Sequence, residues 1–266
     1  MRTKFLTTGL LLLTTLAACK DNPPQSTPPA APPANTATQQ ATPPPAPPPP
    51  PSEAPAETPA AAQPQEHGAS AAPRTQPPGE NPGPWQKKAL GGQELFATLQ
   101  TNHGDVVVKL FSKQSPLTVA NFVGLATGEQ AWKDPKTQQE KKNTPLYKDI
   151  LFHRIIAGFM IQGGDPLGQG VGSPGYTFED ETRNGLTFSK PGILAMANRG
   201  PNTNGSQFFI SVAPLERLTG GYTIFGEVVK GYEVVEKMSQ VKTLPGDRPE
   251  KDVVLKKVIV SDKQPT

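Results

Sequence analysis

Cysteine is nearly absent from this chain: 266 residues contain one, Cys19. A single thiol excludes an internal disulfide framework and a cysteine-rich zinc site. Histidine is almost as scarce. His67, His103 and His153 lie far apart without ligand spacing, so no metal is expected. An excess of one charge is missing too. The formal net charge is +3, the lysines and arginines form no long block, and nucleic acid is not expected as a partner. No apolar run reaches the roughly 20 residues that a spanning helix needs.

Proline, by contrast, is abundant, with 33 residues. About two-thirds of them lie between Asn22 and Trp85, among Ala, Thr, Gln and Ser, including APPPPP at Ala46–Pro51. Such a stretch buries too little apolar surface to offset its ordering entropy. It is expected to be a disordered spacer with polyproline-II character. Serving as a ligand for aromatic-lined proline-binding modules is the alternative. Ahead of it, Arg2 and Lys4 precede a mostly apolar run, Phe5–Leu16, with the proportions of a secretory signal. The run ends in LAAC, Leu16–Cys19. Small residues before a cysteine resemble the bacterial lipobox, in which the cysteine receives a diacylglyceryl group and the chain is cleaved before it. The expected organisation is a signal peptide at 1–18, a linker at 19–91 carrying lipid on Cys19, a folded domain at 92–262 and a tail at 263–266. The protein is then extracytoplasmic and held to a bacterial membrane through its N-terminal lipid.

The folded part is long enough for one domain with a real core. ELFATLQT (Glu94–Thr101) and DVVVKLF (Asp105–Phe111) flank Asn102-His103-Gly104, a hairpin signal. In SPLTVANFVGLATG, Ser115 suits a cap and Pro116 the first helical position. Leu117, Ala120, Phe122, Val123 and Leu125 then form a stripe ended by Gly128. Trp132–Tyr147 is polar and lysine-rich, hence a loop. Strands are expected at ILFHRII, GFMIQGGD, GILAMAN, SQFFISV, YTIFGEVV and DVVLKKVIVSD, with a second helix in GYEVVEKMSQV. Roughly eight strands and two helices predict a mainly β fold, a closed eight-stranded antiparallel barrel.

Several local signals have ordinary explanations. Gly170, Gly172 and Gly175 match GxGxxG, but YTFED after them is no helix start, so the glycines are expected to make turns. Asn204-Gly205-Ser206 matches a glycosylation acceptor and also an Asn-Gly turn. Glu179, Asp180 and Glu181 are expected to be solvated, since no second acidic cluster completes an acid pair or metal site. Arg154 is harder to place. It sits in FHRIIAGFMIQGGDP (Phe152–Pro166) among apolar side chains, with no acid before Asp165. Exposure on an edge strand and a wait for a ligand are both open on that stretch alone.

Taken with GILAMANRGPNTNGSQFFI (Gly192–Ile210) and LTGGYTIFGEVVKG (Leu218–Gly231), that stretch closely resembles the cyclophilin family of peptidyl-prolyl isomerases. The resemblance covers about Glu94–Asp262, and TGEQAWKDPKT and PGYTFEDE look like its bacterial and lower-eukaryote members. It implies a cyclophilin-like barrel, no cofactor, a monomer, and proline-containing polypeptides as partners. It implies Arg154 as the catalytic arginine, acting with Phe159 and Gln162. Phe159, Met160, Phe209 and Leu218 match the apolar pocket for the proline ring. Gln162, Ala197, Asn198 and Gln207 match positions that hold the flanking peptide, and His153 the histidine before the arginine. Two positions depart. Arg217 stands where many members carry a Trp that contacts cyclosporin, which weakens the expected drug contact, and Tyr222 replaces a pocket histidine while keeping a flat ring and a hydroxyl. The resemblance implies an isomerase of exported polypeptides, with Arg154 unpaired until substrate arrives. The alternatives are a holdase or an adaptor using the same groove without essential turnover.

Overall fold

The computed structural model describes residues 78–79 and 81–265. The expectations for the signal segment, Cys19 and the linker as far as residue 77 fall outside the described residues.

Among the described residues, eleven strands and three α-helices form, in chain order: α1 (Pro84–Leu90), β1 (Leu95–Thr101), β2 (Asp105–Leu110), α2 (Pro116–Thr127), β3 (Trp132–Lys133), β4 (Glu140–Lys141), β5 (Ile150–Leu151), β6 (Arg154–Ile156), β7 (Met160–Gly163), β8 (Ile193–Met196), β9 (Phe208–Ser211), β10 (Ile224–Lys230), α3 (Tyr232–Ser239) and β11 (Val254–Ser261). Nine strands make one antiparallel sheet in the order β5-β11-β1-β2-β10-β8-β9-β7-β6. The closed eight-stranded barrel is therefore corrected to a curled nine-stranded sheet, with no ladder between β5 and β6 among the described residues. The expected single strand ILFHRII is broken at Phe152 and His153. Its first part pairs with β11 and its second with β7, so the two end strands of the sheet are neighbours in the chain.

The β1–β2 hairpin forms as expected, pairing Leu95 with Leu110 through Gln100 with Asp105. α2 ends at Gly128 in the left-handed region (φ 85°). Its start differs from expectation. The Ser115 hydroxyl donates to the Ile224 carbonyl at 2.6 Å and caps nothing. Glu181 caps α2 instead, its carboxylate accepting from Leu117 N (3.1 Å), Thr118 N (2.8 Å) and the Thr118 hydroxyl (2.7 Å). A carboxylate suits the positive end of the helix dipole. Asp180 is also engaged, with Asn202 N and Asn204 Nδ2, both at 2.8 Å. The reading of these acids as solvated is corrected for Asp180 and Glu181, while Glu179 is exposed as expected. The stretch Trp132–Tyr147, expected as loop, carries the small β3–β4 hairpin, and Tyr147 is fully buried with its hydroxyl donating to Ser206 O at 2.8 Å.

α1, which lies ahead of Gly92, corrects the helix count. It packs on α2 where Gly124 has no side chain; a Cβ there would stand 2.5 Å from Gln86 Nε2. Gln86 is buried and donates to Gln130 Oε1 at 3.1 Å, while Glu129 accepts from Trp85 N and Gln86 N. The main core gathers the buried side of the sheet around α2. Phe122 meets the rings of Tyr147, Phe208 and Phe225 at 5.0, 5.8 and 5.2 Å.

Candidate active site

Strand geometry sorts the motif residues onto two faces, because successive side chains on a strand point opposite ways. Ile155, Ile161, Leu194, Met196, Phe208 and Ile210 join the main core. Their neighbours Ile156, Met160, Ala195 and Phe209 join a second apolar cluster on the other face, with Phe188, Ile193, Leu215 and Ile224. The adjacent phenylalanines Phe208 and Phe209 thus serve different sides of the sheet.

On that second face the ladders align one row across five strands. Arg154 on β6 stands opposite Gln162 on β7, Gln162 opposite Phe209 on β9, Phe209 opposite Ala195 on β8, and Ala195 opposite Ile224 on β10. A guanidinium is followed by an amide, then a ring, then an apolar floor. Phe159, at the β6–β7 turn, and Leu218 and Tyr222, in the loop before β10, are half-buried and pack against the same cluster. Phe209 is held by two rings, stacked on Phe188 at 5.7 Å and edge-on to Tyr222 at 5.5 Å. Arg217 is exposed, with its guanidinium 5.4 Å from the Phe159 ring centre.

The polar residues divide by what they already bond. Gln207 uses its whole amide internally. Its Nε2 donates to the Gly170 and Gly172 carbonyls at 3.1 and 2.9 Å, and its Oε1 accepts from Gln162 Nε2 at 3.0 Å. Its backbone carbonyl accepts from Ala197 N at 3.0 Å. Asn198 donates from Nδ2 to Gly221 O at 3.0 Å, tying its loop to the one before β10. His153 is buried beside the glycine loop. It is 7% exposed, neither ring nitrogen has a partner, and a Cβ on Gly170 would sit 3.4 Å from its ring. Burial pushes its pKa below the ordinary histidine value, partly offset by Asp165. The His153 ring thus packs beside the glycine loop at Gly170. The glycines do make turns, as expected, with φ near 83° and 90° at Gly170 and Gly175. The loop wraps buried Asp165, which accepts from the backbone N–H groups of Leu167, Gln169, Gly170 and Gly172.

Arg154 is not unpaired, contrary to expectation. Its Nε donates to Asp247 Oδ2 at 3.2 Å, an acid 93 residues away in sequence. Its two Nη groups donate to no group among the described residues. Asp247, Phe188 and Asp165 escaped the sequence reading as site supports. Nothing in their local sequence marks them, since each acts through a partner distant in the chain or through backbone geometry.

The match to a family model, cyclophilin type peptidyl-prolyl cis-trans isomerase/CLD, runs over residues 96–260 and so spans this entire row. The chain is a cyclophilin. Among curated proteins this cyclophilin is 53% identical over 171 residues to peptidyl-prolyl cis-trans isomerase B of Streptomyces anulatus, covering 63% of this chain and 97% of the relative. It is 51% identical to peptidyl-prolyl cis-trans isomerase A of Mycobacterium tuberculosis, covering 62% and 91%. Its fold is similar to a crystal structure of a Cryptosporidium parvum cyclophilin solved in the presence of the dipeptide Ala-Pro, with a TM-score of 0.55, 34% identity and coverage of 62% and 98%. The activity of this cyclophilin is peptidyl-prolyl cis-trans isomerisation. Elsewhere on its surface, a polar cleft of about 670 Å³ is lined by Lys113, Asp180, Glu181, Arg183 and Asn202. Its two acids already serve the α2 cap and the Asn202–Asn204 loop.

Proposed function

We propose that Arg154 accelerates X-Pro isomerisation by hydrogen bonding to the twisted prolyl nitrogen, in exported polypeptides that reach a lipid-anchored enzyme. Rotation about the X-Pro bond faces a barrier of about 18–20 kcal/mol because resonance gives the C–N bond double-bond character. Twisting localises a lone pair on nitrogen. A fixed guanidinium that donates to this nitrogen stabilises the twisted amide more than the planar one, which is what transition-state binding requires. Arginine performs this without gaining or losing a proton. Phe159, Met160, Phe209, Leu218 and Tyr222 receive the proline ring and exclude water, strengthening that bond. Ala197 and Asn198 line the peptide path; Gln162 and Gln207 hold its wall.

The alignment of Arg154 with Phe209 through Gln162 carries the reading. Neighbouring strands lie about 4.8 Å apart, so the Arg154 backbone stands roughly 10 Å from the apolar floor, a gap that its long side chain and a prolyl ring fill together. The test is Arg154→Ala, with proline-peptide exchange measured by NMR beside thermal melting. Turnover is expected to fall by ~10²–10³ in a folded variant, the usual loss when a transition-state donor is removed. Near-normal turnover in a folded variant sinks the mechanism.

The anchor rests on Leu16–Cys19 and the proline-rich linker behind it. Cys19→Ser is expected to stay unlipidated and leave the membrane fraction; a membrane-bound, uncleaved variant refutes the anchor. Arg217 in place of a flat apolar contact is expected to weaken cyclosporin inhibition. If Arg217→Trp fails to tighten inhibition, the drug contact does not include this position.

A further inference from the structure

The loop between α3 and β11 returns to the catalytic strand and grips it at two consecutive residues. Ile155 N donates to the Asp247 carbonyl at 2.8 Å, and Arg154 Nε to the Asp247 carboxylate at 3.2 Å. One residue thus fixes both the backbone of β6 and the guanidinium that leaves it. The loop is built to present that residue. Asp247 adopts φ 64°, left-handed and uncommon for a residue with a side chain, directly after Gly246 at φ 85°. Asp247 N donates to Leu244 O at 3.1 Å and Leu244 N to Arg248 O at 2.8 Å, closing the turn. A bridge between Thr243 and Pro249 and the Lys242–Glu250 ion pair hold its base.

Stability does not account for the pair. The side chains of Arg154 and Asp247 are 30% and 41% exposed, and ion pairs that wet contribute little to folding. Its effect is geometric. An arginine side chain has several free rotors, and a bond at Nε fixes the plane of the fork while leaving the Nη edge open. Only that edge remains to meet a prolyl nitrogen over Phe209.

We infer that Asp247 is a positioning residue for Arg154, orienting the guanidinium through Nε so that its Nη groups address the substrate. The inference rests on the catalytic role proposed for Arg154, and its test separates the two. Asp247→Gly retains the left-handed backbone without strain and removes the carboxylate. Asp247→Asn also tolerates that conformation and keeps an oxygen that accepts from Nε. Turnover is measured by NMR exchange on a proline peptide in both variants, in Arg154→Ala, and in Arg154→Ala combined with Asp247→Gly.

Asp247→Gly is expected to lower kcat about tenfold with little change in KM, since small misplacement of a catalytic group already costs this order. Asp247→Asn should recover most of that loss, and the double variant should be no slower than Arg154→Ala alone. The Arg154 Nε–H resonance should exchange with water faster in Asp247→Gly than in the natural protein, where the carboxylate holds it. Normal kcat in a folded Asp247→Gly overturns the inference while leaving Arg154 in place. An equal loss in both backgrounds also overturns it, because the loop then acts on the fold rather than on the arginine. Full turnover in Arg154→Ala removes the catalytic role and the positioning role together.

Discussion

Gln162 donates from Nε2 to Gln207 Oε1 at 3.0 Å, and Gln207 donates onward to the Gly170 and Gly172 carbonyls. The glycine loop, built around buried Asp165, is thereby linked through two amides to the residue opposite Arg154. The order of that chain matters. Both ends of the Gln207 amide are engaged, so the residue braces the groove wall.

Gln207→Leu should therefore act through the loop. The Gly172 carbonyl loses its donor while the Gly170 carbonyl keeps only Arg199 Nη2 at 3.2 Å, and a buried group left unpaired costs about 1–3 kcal/mol. Melting should fall by several degrees, and hydrogen exchange should rise at Gly170 and Gly172. Unchanged exchange in that loop means that the two bonds do not hold it.

His153 sets an acid limit on stability. Its folded pKa is depressed by burial, so below the ordinary value of 6.5 the unfolded chain takes the proton first. The stability it contributes is complete above about pH 6.5 and is lost as pH falls from there toward the folded value. Denaturant midpoints at pH 7.5 and pH 5 should differ less in His153→Gln, which does not titrate, than in the natural protein. An equal drop in both would place the acid sensitivity elsewhere.

The α1 segment decides where the folded unit can be cut. A chain beginning at Gly92 lacks the Gln86–Gln130 and Glu129 bonds that seat α1 on α2. It should melt several degrees below a chain beginning at Pro78, on the order of 2–3 kcal/mol less stable. Equal melting would make α1 an ornament. Turnover should survive in both, because the hydrogen bonds of α1 go to Ala120, Glu129, Gln130 and Asp262, none of them in the groove.

The sequence by itself determined the β1–β2 hairpin, the length of α2, the family and the apolar residues of the groove. Those features are written in local pattern. Alternation places Met160 and Phe209 on one face and Ile161 and Phe208 on the other, and Pro116 and Gly128 bracket a helix within a dozen residues. The tertiary structure alone decided the partners of the polar groups. Glu181 caps a helix 64 residues upstream, Gln86 is buried against Gln130, and Asp247 meets Arg154 across 93 residues. A hydrogen bond depends on the approach of two atoms, and no periodicity announces which distant acid will arrive. An apolar side chain needs only the correct face of its strand, whereas a carboxylate needs one particular donor, and only the folded chain brings the two together.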